Sequence, residues 1–126
     1  MSFFTLDAEL VEILHDEVLN PGELPGRARD KSLEGALARV ENRLAYGMIE
    51  DGFDLAAMYA VAVATGHCFN DANKRTAFRA MDAALAFNGA PVEWDTVEVG
   101  DVIVRVAQGH MEADALASWL RATVGG

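Results

Sequence analysis

The chain has 126 residues, 52% of them hydrophobic, enough for one domain (1–126) with its own core, which excludes a disordered chain. Ten Lys and Arg against twenty Asp and Glu leave a net charge of −10. A field of that sign repels nucleic acid and anionic membrane, so neither is expected as a partner.

Helical signals then recur in chain order. The N-terminus meets acids at once, with no basic stretch ahead of an apolar one, so no signal peptide is expected. Thr5 is placed to cap a first helix, with Asp7 and Glu9 in its first turn. Leu6, Leu10, Ile13, Leu14 and Val18 line one face until Asn20-Pro21-Gly22 stops it, leaving His15 on the polar side. Residues 21–31 read as an exposed loop, punctuated twice by Pro and Gly and carrying Arg27, Arg29 and Lys31. A second helix starts near Asp30 or Ser32, presents Leu33, Leu37, Val40 and Leu44, and ends near Gly47.

The third helix, from about Asp54 to Thr65, is apolar nearly all round and closes at Gly66 as a left-handed cap. Its apolar run, Leu55 to Thr65, is short of the roughly 20 residues that span a bilayer. Asn70 or Asp71 caps a fourth helix with Phe78, Met81, Ala84 and Leu85 on its face, ended by Asn88-Gly89 and Pro91. Val99, Val102, Ile103 and Val106 keep helical spacing, although β-branched residues also suit a strand. A last helix covers about Glu112 to Thr123, with Leu116, Trp119 and Leu120 inward. His110, after Gly109, reads as a surface or cap residue. The expectation is an all-α bundle of about six helices. With one cysteine and so no internal disulfide, it is expected to be soluble and cytoplasmic.

Chemistry concentrates in residues 67–76, His67-Cys68-Phe69-Asn70-Asp71-Ala72-Asn73-Lys74-Arg75-Thr76, which join the third helix to the fourth. The unpaired N–H groups of a helix N-terminus attract anions. Lys74 and Arg75 would sit in that first turn, where cations oppose the helix dipole unless an anion offsets them. His67 is then a candidate general base, because an imidazole can take a proton at neutral pH. Asp71 is a candidate Mg²⁺ ligand, since one carboxylate plus ligand oxygens is a normal magnesium arrangement. Lys74 and Arg75 are candidate phosphate contacts, and Phe69 plugs the loop into the core. Plainer readings stand beside these: His67 as a cap, Asp71 as an N-cap, Lys74 and Arg75 as solvated charges, Cys68 as a packing residue.

From His67 to Arg75 the string reads His-x-Phe-x-Asp-Ala-Asn-Lys-Arg, which resembles the Fic/Doc family, and its Doc (death-on-curing) branch in particular. The resemblance extends to Leu24-Pro25-Gly26, to Leu33-Glu34 and Ala38-Arg39-Val40, and from Ala45-Tyr46 through Gly66, covering most of residues 5–92. It implies the all-α Fic/Doc core, with His67 as the base that deprotonates a target hydroxyl and Asp71 as the Mg²⁺ ligand. It further implies ATP held by Phe69, Asn70, Asn73, Lys74 and Arg75. Ordinary Fic proteins carry Gly-Asn-Gly, which cradles the α- and β-phosphates for AMP transfer; Ala72 and Lys74 replace both glycines here.

In the Doc branch that difference goes with an inverted nucleotide and γ-phosphoryl transfer. The implied function is a protein kinase toxin that modifies a Thr of translation elongation factor Tu and arrests translation. Loop 21–31 corresponds to the family's flap, which would hold the target segment beside the site, with Arg27, Arg29 and Lys31 seating an acidic target or simply solvated. A Phd-like antitoxin is the implied partner. Glu41-Asn42 ends like an internal inhibitory motif, but Leu37 stands where Ser or Thr belongs. The alternatives are a Fic-type AMP-transferase and a non-catalytic member that binds only its antitoxin or a nucleotide.

Overall fold

The computed structural model describes residues 2–125 and contains six helices: α1 (Ala8–Val18), α2 (Leu33–Ala45), α3 (Gly52–Gly66), α4 (Asn73–Phe87), α5 (Thr96–Ala107) and α6 (Ala113–Gly125). The all-α expectation holds. Helix α3 is the axis, since Leu55 to Ala60 and Ala62 to Ala64 are all buried. It packs against α2, α4, α5 and α6, while α1 lies mainly against α4. Small residues (Ala56, Ala57, Ala60, Ala62, Ala64) let four neighbours approach it closely, and the larger Leu33, Leu55, Met81, Leu85, Leu116 and Leu120 fill the spaces between. Each such buried side chain stabilises the fold by about 1.5–3 kcal/mol before entropy is counted. Among the described residues no helix is long and apolar enough to cross a membrane.

The first helix begins later than expected. Asp7, not Thr5, is the N-cap, and its carboxylate accepts the Leu10 N–H at 2.9 Å. The segment before it is extended and pinned elsewhere: Leu6 N–H donates to the Tyr59 hydroxyl at 2.8 Å, and the Phe4 backbone exchanges two bonds with the Asn88 side chain. Burial pushes the Tyr59 phenol up to about 12. The buried face of α1 is Val11, Leu14 and His15, and Ile13 is half exposed, contrary to its expected place inside.

The third and fourth helices also meet differently. Gly66 is not the left-handed residue; it still belongs to α3, and the left-handed C-cap is His67, at φ 50° and ψ 40°. Gly66 is small for another reason. A β-carbon there would lie 3.0 Å from Cys68 Sγ and 3.2 Å from Ala36 Cβ, where α3 crosses α2. Helix α5 is a helix despite its β-branched residues, with Asp95 capping the N–H groups of Val97 and Glu98, and Val99, Val102, Ile103 and Val106 buried.

Candidate active site

Residues 67–72 turn the chain from the buried end of α3 to the start of α4, and both ends of the turn are left-handed: His67 at φ 50° and Ala72 at φ 65°. They are the non-glycine residues with positive φ among the described residues. An L-residue held there costs roughly 1–2 kcal/mol, and strain of this sort persists only where the surroundings over-determine it.

The surroundings do so. Phe69 is 3% exposed, and its ring stacks on that of His15 with centroids 3.9 Å apart and an 8° interplanar angle. Asn73 closes the turn, its carboxamide accepting from Phe69 N–H at 3.1 Å and donating to Phe69 C=O at 2.9 Å. The flap, residues 21–31, runs antiparallel beside the turn: Ala28 N–H donates to Cys68 C=O at 2.8 Å, Asn70 N–H to Gly26 C=O at 3.2 Å, and Asn70 Nδ2 to Pro25 C=O at 3.0 Å. His15 Nε2 lies 2.8 Å from the Asp71 carbonyl, which fixes it as the protonated ring nitrogen, since a carbonyl can only accept. The surface role expected for His15 is therefore wrong. It is 1% exposed and forms the floor beneath the turn.

Neither Asn70 nor Asp71 caps α4, because both side chains are engaged by the flap, Asp71 Oδ2 accepting the Leu24 N–H at 2.8 Å. The N-cap is Ala72, with no side-chain cap at all. The consequence is an uncapped helix N-terminus with Lys74 and Arg75 in its first turn, facing a cleft of about 360 Å³. His67, Asn70, Asp71, Ala72, Asn73, Lys74 and Arg75 line this cleft together with Glu23, Ala64 and Ala107. Six of the seven sequence-derived candidates thus meet at one hollow. Phe69 does not: its buried ring supports the turn from behind and is out of reach of a ligand in the cleft.

The polar groups differ in how far they are committed. His67 and Lys74 are exposed, and Lys74 has no ion-pair partner among the described residues. Asp71 makes one bond through Oδ2. Arg75 is held by two acceptors from the flap side, donating to Val18 C=O at 2.5 Å and to the carboxylate of Glu23. That pairing raises the Arg75 guanidinium above its ordinary value, and the Arg75 bond, helped by the Asn20 N–H, holds the Glu23 carboxyl below its own. Glu23 and His15 are the residues that sequence reasoning missed. His15 had a usable signal, being four residues after Val11 and three before Val18. Glu23 had none, since nothing local ties a loop carboxylate to an arginine 52 positions away.

The flap cations do not act together. Arg27 reaches back to Glu12 and donates to Glu34 at 2.6 and 2.8 Å, so it braces the flap against α1 and α2, leaving Arg29 and Lys31 as its exposed cations. Burial pushes the Cys68 thiol up, away from the thiolate a nucleophile needs, in keeping with its packing role. Among the described residues no three His, Cys, Asp or Glu side chains gather as metal ligands. Asp71, presenting one carboxylate to the cleft, suits an ion that draws its other ligands from phosphate and water.

Comparison with known proteins bears on this arrangement. The sequence profile of the Fic/DOC family matches residues 5–85. The chain is also similar to "Protein kinase doc" of Escherichia phage P1, at 38% identity over 117 residues that cover 93% of this chain and 92% of that protein.

Proposed function

The chain belongs to the Fic/Doc family, and from that premise we propose that it is a Doc-like kinase toxin. In this reading it transfers the γ-phosphoryl group of ATP to a Thr hydroxyl of elongation factor Tu in the cytoplasm and so arrests translation. The observation that carries the reading is the α4 N-terminus. It is uncapped and doubly cationic, and it opens on the same cleft as an exposed imidazole and a carboxylate. A helix end that is electrostatically incomplete in this way is completed by a polyphosphate.

His67 takes the proton as the target oxygen attacks the γ-phosphorus. The bond from that phosphorus to the bridging oxygen breaks, and ADP leaves. Lys74 and Arg75 stabilise charge on the phosphate oxygens, and the N–H groups of the first α4 turn orient them. Asp71 would hold Mg²⁺, which supplies further neutralisation of phosphate charge when bound. Ala72 and Lys74, standing where glycines would leave a wider backbone nest, favour phosphoryl over AMP transfer. The flap edge beside Cys68–Asn70 suits an extended target segment, and Glu23 would have to yield Arg75 to phosphate. Silencing by a Phd-like antitoxin completes the proposal.

The test is incubation of the purified chain with elongation factor Tu and ATP labelled at either the α- or the γ-phosphate. Label arriving from the γ position alone is expected. Label from the α position would replace the proposal with AMP transfer, and no label from either would leave a non-catalytic binding protein.

A further inference from the structure

A second hollow of about 240 Å³ lies between α4 and α5, next to the catalytic cleft and sharing Lys74 and Arg75 with it. Its other walls are almost wholly apolar, chiefly Phe78, Ile103 and Val104. We propose that this groove seats the purine base of the nucleotide whose phosphates occupy the cleft; the inference rests on the nucleotide-dependent reading above.

Three observations converge. The first is continuity. Two cations flanked by a polar cleft on one side and an apolar groove on the other match a ligand with an anionic end and a flat apolar end. The second is size: the groove is smaller than the roughly 300–1,000 Å³ that encloses a whole drug-sized ligand, as suits one ring system of a larger molecule.

The third observation is Gly100. It is an exposed glycine inside α5, on the groove, where an interior glycine weakens a helix relative to alanine. No neighbour requires it, since a β-carbon built there meets nothing within 4 Å. Nothing within the chain accounts for the missing side chain; an occupant of the groove does. Val97 and Val104, three residues before and four after it, keep the same face of α5 apolar although they are 74% and 39% exposed.

The order of parts also agrees with the direction of transfer. His67 lines the cleft but not the groove. A base in the groove sends the phosphates across Lys74 and Arg75 toward His67, so the phosphate farthest from the nucleoside arrives at the base.

Calorimetric titration of the full chain with Mg²⁺ and either ATP or inorganic tripolyphosphate tests this without any phosphoryl transfer. The wild-type chain should bind ATP about ten-fold or more tighter than tripolyphosphate, the range expected for one stacked base. Gly100→Leu plugs the groove while improving helix propensity. It should weaken ATP about ten-fold, leave tripolyphosphate within about two-fold, and unfold at or above the wild-type temperature. Val104→Gln, which makes the exposed wall polar, should weaken ATP in the same selective way, and 8-azido-ATP should crosslink to residues 97–104. Unchanged ATP affinity in both variants, equal loss of both ligands, or crosslinking to the flap overturns the base seat and leaves the γ-label experiment standing. No binding of either ligand to the wild-type chain overturns the nucleotide reading itself.

Discussion

At the N-terminus of α3, Asp51 accepts the Asp54 N–H at 2.9 Å, and Arg121 from α6 closes on Asp51 at 3.0 and 3.1 Å and on Asp54 at 2.7 Å. At the N-terminus of α4, fifteen residues of helix and one turn later, no side chain caps the backbone and the cations sit inside the first turn. The two ends hold similar groups in opposite order. In α3 the acid is at the cap and the arginine comes from outside, so dipole, cap and counter-charge agree. In α4 the arginine is in the helix, and the acid that meets it, Glu23, comes from a loop. The first arrangement is capped and counter-charged within the protein; the second leaves the helix end without a side-chain cap. Helices α1, α2 and α5 are side-chain capped as α3 is, by Asp7, Ser32 and Asp95. The difference therefore belongs to the site and is no general looseness of the fold.

The sharpest way to break this contrast is at His67. His67→Ala should lower phosphorylation of elongation factor Tu by about 10²–10⁴-fold, the usual worth of a positioned general base. Thermal unfolding should barely move, because the side chain is exposed; a variant with normal transfer rates would remove His67 from the mechanism. At the other helix end the effects should reverse. Asp51→Ala removes a cap and a partner of Arg121 and should destabilise the fold by about 1–2 kcal/mol in urea titration, with the transfer rate of the folded protein unchanged. If it changed the rate without changing stability, the division between the two ends would be lost.

Ala72→Gly relieves a left-handed residue but loosens the unfolded chain. The difference should raise stability by about 0.5–1 kcal/mol, measured by the same titration. Glu23→Gln should change stability little, because the pair is open to solvent. It should tighten Mg²⁺-ATP binding by about 2–5-fold, since phosphate no longer competes with a carboxylate for Arg75; weaker binding would mean that Glu23 orients Arg75 for the ligand.

Acid should separate the ends as well. Burial opposes ionisation of Asp51, but the bonds from Arg121 and the Asp54 N–H outweigh it and hold the carboxyl below its ordinary 3.8. Glu23 lies below its ordinary 4.5 through Arg75. Groups depressed in the folded state contribute stability above those ordinary values and lose it as pH falls through the lowered ones. Urea midpoints should therefore decline as pH falls below about 3.8, and Asp51→Asn should flatten that decline, while the solvent-screened Glu23 adds little to it.

Much of the site was legible in advance because it is contiguous. Ten consecutive residues carry the imidazole, the carboxylate and both cations, and helix periodicity alone places them at a junction. The helices were legible for the same reason, including α5, where the spacing of Val99, Val102, Ile103 and Val106 outweighed β-branching. What failed were residues whose role depends on a distant partner. Thr5 lost the cap to Asp7 because the Tyr59 hydroxyl holds Leu6 outside the helix. Gly66 is glycine because Cys68 and Ala36 of α2 crowd it, and the left-handed position falls to His67. His15 and Glu23 joined the site across 56 and 52 positions.

By itself, then, the sequence determined the helical pattern, the family and the chemical inventory of residues 67–76, all of which are local properties. Only the tertiary structure decided how that inventory is used. Flap and α1 contacts engage Asn70, Asp71 and Phe69, and so leave α4 uncapped, Lys74 exposed and Arg75 held by the carboxylate of Glu23. A hydrogen bond between residues fifty apart depends on where helices bring the chain back, and no local spacing encodes it.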